Sequence, residues 1–259
     1  MIRRVLRAVL PPEIRSSVKR AISSARGLAN FYERVYDRQA AKMAPDASVG
    51  GGDFDEIGKI ELGILQLAGV KPGDSVVDLG CGTGRLAVQL IPFLATGRYI
   101  GIDISKNMLR DAARRTPALA GRVEWKHQRS ARFDLPESSV DAICAFSVFT
   151  HMEAEDTYRY FVEALRVVRP GGKLIFSCLP LSLADSRPIF VQQAGMELHQ
   201  RWAAVRNFVT TEETMDTLAS WAGWRVLGWR RGDEASVSVP GIAEKRALGQ
   251  STCVLQRPS

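Results

Sequence analysis

Cysteine is sparse in this 259-residue chain, and what there is does not cluster. Cys81, Cys144, Cys178 and Cys253 lie far apart and form no C-x-x-C pair, which argues against a disulfide frame and a thiolate zinc site. Three of them sit in apolar, strand-like runs, so they read as buried thiols of a reducing compartment, the cytoplasm. No stretch approaches 18 uninterrupted apolar residues, so no spanning helix is expected. No internal repeat and no nucleic-acid-recognition module occurs, and nucleic acid is not expected as a partner. Histidine is rarer still, with only His127, His151 and His199 available for acid–base work.

The net charge of +7 is unevenly placed. Residues 1–42 carry ten Lys/Arg against three Asp/Glu, which accounts for the whole excess and leaves residues 43–259 balanced. Within MIRRVLRAVL the apolar positions Ile2, Val5, Leu6, Val9 and Leu10 share one helix face, and Pro11 and Pro12 end it. Three readings compete for this basic extension. It packs over an active site as a lid, or its first two helices (residues 1–26) make peripheral contact with an anionic membrane surface, or it is a targeting peptide. FYERVYD fits the lid best, and MIRRVLRAVLPP the membrane surface.

From Phe54 onward, strands alternate with helices. SVVDLG, RYIGID, RVEWKH, VDAICAF and KLIFSCLP read as five buried strands separated by helical patterns, with Ser105 and Thr210 or Thr211 as N-caps. Such alternation predicts an α/β fold with a mostly parallel, doubly wound sheet. WRVLGWRRG and STCVLQR follow with no helix between them, which predicts an antiparallel edge hairpin and seven strands in all.

The most informative stretch is DSVVDLGCGTG, residues 74–84. An aspartate, Asp78, ends an apolar strand, and Gly80, Gly82 and Gly84 follow at alternate positions. A glycine-rich turn between strand and helix lets a ligand approach the backbone. A dinucleotide-binding turn would read G-x-G-x-x-G, but here the third glycine falls one position early. A carboxylate just ahead of the loop suits a ligand carrying an ammonium group.

With VVDLGCGTG as a first motif, GIDIS as a second and LRVVRPGGKLIF leading into strand five, residues 54–176 resemble the class I S-adenosylmethionine-dependent methyltransferases. The resemblance implies that cofactor. It implies that Asp78 serves its amino-acid end, with Gly80, Cys81, Gly82 and Gly84 alongside. Asp103 would hold the ribose hydroxyls, and Ile104 and Met108 would sandwich the adenine. Ser130 and Phe146, at the corresponding points after strands three and four, complete the implied cofactor-binding set. Where the family usually has an aspartate after strand three, this chain has Arg129, with Asp134 as a shifted substitute. After strand four it reads AFSVFTHM, without the Asn/Asp-Pro-Pro-Tyr of enzymes acting on base amines or glutamine. Glu153, Glu155 and Asp156 read as a helix-capping turn, and no metal is expected.

SVFTH and the closing GQSTCVL resemble a bacterial subgroup acting on sugars, glycolipids and secondary metabolites. A small-molecule, glycan or lipid hydroxyl is therefore the expected acceptor. N- or C-methylation, or a non-catalytic cofactor-binding subunit, are the alternatives. His151, just past strand four, is the first candidate for the base that an acceptor hydroxyl needs. A histidine that merely bonds the loop backbone is the alternative role. His199, in a predicted acceptor-pocket insertion over residues 182–208, is the second candidate.

Overall fold

The structure is a computed structural model and describes residues 33–34, 36–38, 52–116, 121–203 and 205–259. The two basic helices predicted before residue 27, with their membrane-surface reading, lie outside the described residues. Among the described residues, no helix is long and apolar enough to cross a membrane.

Seven strands form one sheet: β1 (Ser75–Leu79), β2 (Arg98–Asp103), β3 (Val123–His127), β4 (Val140–Ala145), β5 (Val168–Cys178), β6 (Arg225–Arg230) and β7 (Ser251–Gln256). Their order is β3-β2-β1-β4-β5-β7-β6. The first five run parallel, and β7 pairs antiparallel with both β5 and β6. The expected edge hairpin is therefore present, with β7 inserted inside β6. From residue 52 onward, the helices among the described residues are α1 (Phe54–Leu67), α2 (Ala87–Phe93), α3 (Lys106–Arg115), α4 (Ala154–Val167), α5 (Ser186–Ala194), α6 (Leu198–Ala203) and α7 (Glu212–Trp221). Capping follows local chemistry. Ser105 accepts from Met108 N–H and Thr211 accepts from Thr214 N–H at the starts of α3 and α7.

Both sheet faces are covered, which is why the central strands read as unbroken apolar runs. Neighbouring residues turn to opposite cores, as a strand requires. Val76, Ala142 and Cys144 pack with Ile60, Ile64 and Leu90 of α1 and α2. Val77 and Ile143 pack with Phe161, Met215 and Leu218 of α4 and α7. All four cysteines are buried free thiols, as their apolar surroundings suggested.

In the second core, an aromatic knot ties a functional loop to the sheet. Phe149 opens a 3-10 turn, Phe149–His151, directly after β4. Its ring meets Phe161 at 5.2 Å and Phe176 at 5.5 Å, both edge-on, the geometry aromatic quadrupoles favour. Replacing Phe149 with Ala should cost about 3–5 kcal/mol of unfolding free energy. Urea denaturation would measure this, and a loss well below that range would show that the knot is not what holds the turn.

Candidate functional site

The turn after β1 is built from left-handed backbone. Gly80, Gly82 and Gly84 have φ of 71°, 55° and 91°, a region only glycine enters freely. Gly80 and Cys81 donate to the Ile102 carbonyl at 2.7 and 3.1 Å, bending the turn towards the end of β2. A Cβ on Gly80 would stand 2.5 Å from Cγ2 of Val148, so the loops after β1 and β4 meet here. Gly84 has a different task. Its virtual Cβ lies 3.1 Å from Ala112, so its bareness lets α3 pack close.

Two carboxylates flank this turn. Asp103 accepts from Gly82 N–H at 2.9 Å and from Ser105 N–H at 2.7 Å, one on each oxygen. A carboxylate oxygen has two acceptor sites, so each can still take a hydroxyl donor. Burial pushes the Asp103 carboxyl up, and its backbone donors pull the other way. Asp78 accepts from the Tyr99 hydroxyl at 2.7 Å. Burial dominates there, and the group is pushed up to about 7.

One cavity gathers most of the residues implied by the sequence. Asp78, Gly80, Cys81, Gly82, Asp103, Ile104, Met108, Phe146 and His151 all line it. Ser130 does not. Its Oγ bonds the Arg132 carbonyl, and it is the preceding Gln128 and Arg129 that line the wall. His199 is exposed on α6 and is not among the lining residues. The 182–208 segment reaches the site differently. Phe208 N–H bonds the Thr150 carbonyl at 2.7 Å, and the Arg206 carbonyl lies 2.8 Å from Nδ1 of His151.

That contact fixes the tautomer of His151. A carbonyl can only accept, so Nδ1 carries the proton and Nε2 is left as the acceptor. Burial holds its pKa below the usual value, so the ring is neutral near pH 7. The loop that carries it is braced from the sheet. Ser147, in left-handed backbone at φ 57°, receives a bond from Gln250 Nε2 to its Oγ at 2.9 Å. Its N–H donates to Ser177 Oγ at 2.7 Å, and that hydroxyl in turn donates to Gln250. The Gln of the closing GQST stretch thus supports the loop after β4.

Glu33, Tyr36 and Asp37 reach the same region. Glu33 pairs with His127 at 3.0 Å and with Arg129 at 3.1 Å. Asp37 accepts from Ser105 Oγ at 2.5 Å, and Tyr36 lines the cavity with its ring 6.3 Å from that of His151. Glu33 puts a carboxylate beside the loop whose expected aspartate is replaced by Arg129. Sequence reasoning also missed Tyr99, Glu61 and Arg85. The signal for Glu61 was present, since it is a charge on the apolar face of α1 beside Ile60 and Ile64.

A strand-end acid, a left-handed glycine turn and a second strand-end acid at the centre of this sheet define a class I methyltransferase domain, whose cofactor is S-adenosylmethionine. Residues 76–172 match the family model described as Methyltransferase domain. Among curated proteins, the chain is 37% identical over 212 residues to an uncharacterized 37.1 kDa protein in transposon Tn4556 of Streptomyces fradiae, covering 71% of this chain and 59% of that one. It is 31% identical over 152 residues to the malonyl-[acyl-carrier protein] O-methyltransferase of Methylococcus capsulatus, covering 57% and 50%. The chain thus spans less than two thirds of the length of either relative. Among solved structures, magnesium protoporphyrin IX methyltransferase from Synechocystis with bound SAH shares the fold, with a TM-score of 0.54, 18% identity, and coverage of 93% and 98%.

The raised Asp78 gives a pH test. A cationic ligand binds the ionised carboxylate, so bound protein holds the proton less tightly than free protein. Affinity for S-adenosylmethionine should therefore fall as pH drops below about 7 and level off above it. Calorimetric titration across that range measures the slope, and Asp78→Asn should flatten it. An unchanged slope in the variant would assign the titration elsewhere.

Proposed function

We propose that this chain is an S-adenosylmethionine-dependent methyltransferase that methylates a hydroxyl of a small acceptor, with sugars, glycolipids and related metabolites as the class to test first. The observation that carries it is His151, held by the Arg206 carbonyl so that an unprotonated Nε2 is available on the cavity that Asp78 and Asp103 also line. The family match supports the transfer chemistry, and since relatives named for O-, N- and C-methylation are all similar to this chain, the choice of oxygen rests on His151.

When bound, S-adenosylmethionine supplies a methyl carbon that is already electrophilic, so the chain need not create one. Asp103 would accept the ribose hydroxyls, Ile104 and Met108 would cover the adenine, and Asp78 would take the ammonium. The chain's remaining tasks are to hold the acceptor in line and to take its proton. Positioning of this kind supplies roughly 7–11 kcal/mol, and a placed base adds about 10²–10⁴-fold. Tyr36, Val148 and Met152 wall the cavity around His151 and would orient an acceptor by shape.

Glu33, Tyr36 and Asp37 act in this reading as part of a lid. Glu33 fastens it to His127 and Arg129, and Asp37 to the cap of α3. The Glu33–Arg129 pair is partly exposed, so its worth is roughly 1 kcal/mol or less. Arg129→Glu should speed release of S-adenosylhomocysteine by up to about fivefold, and adding Glu33→Arg should restore the slower rate in stopped-flow measurements. No restoration by the charge swap would remove the fastening role.

His151→Gln should lower turnover by about 10²–10⁴-fold while leaving S-adenosylhomocysteine affinity unchanged. At saturating cofactor the wild-type rate should be level around neutral pH and fall only below the usual histidine range, because burial lowers the pKa of His151. Purified protein with methyl-labelled cofactor and fractionated cell extract would test the acceptor class. Label appearing only in protein or nucleic acid would overturn the small-acceptor reading.

A further inference from the structure

Ser147 is a serine where the backbone favours glycine. Its φ of 57° lies in the left-handed region, which is costly for a residue with a side chain and open to glycine. The residue lines the cavity that His151 also lines. What its side chain adds there is a hydroxyl, and the hydrogen bonds around it fix where the hydroxyl's proton goes.

Ser177, on β5, is fully buried. Its Oγ accepts from Ser147 N–H at 2.7 Å and donates to Gln250 Oε1 at 2.6 Å, the one acceptor for that proton among the described residues. This sets the amide. Its oxygen faces Ser177, and Nε2 faces Ser147, donating to Oγ at 2.9 Å. The reversed amide would leave the Ser177 proton buried without a partner, which is the costly arrangement. Gln250 is also held from behind. A Cβ on Gly232 would stand 2.5 Å from the Gln250 carbonyl carbon, and Gly249 N–H donates to the Gly232 carbonyl at 2.9 Å.

Because Nε2 already donates to Ser147 Oγ, the Ser147 hydroxyl keeps its own proton to give, and no acceptor for it exists among the described residues. We propose that Ser147 is the hydrogen-bond donor that reads a second oxygen of the acceptor, near the oxygen whose proton His151 takes. The inference rests on the O-methylation reading and deepens it. The two side chains stand on one turn of chain, closed by His151 N–H donating to the Val148 carbonyl at 3.0 Å. His151 offers an accepting Nε2 and Ser147 a donating hydroxyl. The ligand that matches both presents a hydroxyl and a nearby second oxygen, as polyols and sugars do. Gln250 is not among the residues lining the cavity, so it is a positioning residue that acts by setting the polarity of Ser147.

Gln250→Glu keeps the shape and both bridges but inverts the relay. An ionised carboxylate accepts from both hydroxyls, so Ser147 turns its proton away from the cavity, whereas a protonated one restores the original direction. The assay uses the full chain, methyl-labelled S-adenosylmethionine and serial dilutions of the cell-extract fraction that wild type labels. Above neutral pH, Gln250→Glu should raise KM for that fraction about 3–10-fold, the worth of one hydrogen bond. The excess over wild type should shrink as pH falls through the new carboxyl's titration. Ser147→Gly, which suits the left-handed backbone, should raise KM by a similar factor at every pH. S-adenosylhomocysteine affinity should be unchanged in both variants, which also shows that they fold. A Gln250→Glu KM equal to wild type at every pH would reduce the network to a brace for the loop and overturn the proposal. Weaker S-adenosylhomocysteine binding in Ser147→Gly would place the hydroxyl on the cofactor and overturn it too. Either result, with turnover still lost in His151→Gln, removes this inference alone. Wild type that labels no fraction, or labelling that survives His151→Gln, overturns the O-methylation reading and this inference with it.

Discussion

The site depends on one steric constraint, the approach of the turn after β1 to the loop after β4. Gly80 meets Val148 at a distance that no side chain at position 80 would permit. β1 lies between β2 and β4, so this turn is the point where chain connections run to opposite sides of the sheet. In open α/β sheets, ligand crevices form at such points, beyond the carboxyl ends of the strands. A side chain on Gly80 would part the two loops. Asp78 and Asp103 would then no longer share a cavity with His151, although every strand could still pair.

The same constraint explains how closely the loop after β4 is held. Ser147 adopts a backbone conformation costly for a residue with a side chain. It is held there by Ser177 on β5 and by Gln250, just ahead of β7. Phe149 anchors the next turn in the aromatic core, and the Arg206 carbonyl orients the imidazole that follows. The imidazole is positioned by elements far apart in sequence, each contributing through an ordinary hydrogen bond or ring contact.

Much of this fold was legible in the sequence because its signals are local. Apolar strands, N-caps at Ser105 and Thr211, and the two helix-free final strands each follow from neighbouring residues. The start of β5 was less legible. It begins at Val168, ahead of the Pro-Gly-Gly turn, because Val168 pairs with Val140 across the sheet. In the site, Asp78, Asp103 and the glycines could be read from spacing within a single strand and turn. Glu33 could not, since its partners His127 and Arg129 come from β3 and the loop beyond it. Tyr99 reads as one more apolar strand residue until the sheet sets its hydroxyl against Asp78. His199 shows the converse. Its place in an insertion suggested the pocket, but α6 leaves it in solvent, and a backbone carbonyl at Arg206 makes the contact instead.

Electrostatics links site and stability. Asp78, Glu61 and Asp103 are all buried, and burial is the largest influence on each, pushing each carboxyl up. Without a ligand, three buried acids around one cavity leave negative charge poorly solvated, even with Arg85 and Arg129 on its wall. That arrangement weakens the free protein, because ionising each group costs more in the fold than in the unfolded chain. A cationic ligand reverses the balance, since it binds the folded form alone and favours the ionised carboxylates. On the proposed reading a bound cation would make these acids tolerable, and the turn that disfavours a side chain at position 80 keeps Asp78 and Asp103 on the same cavity.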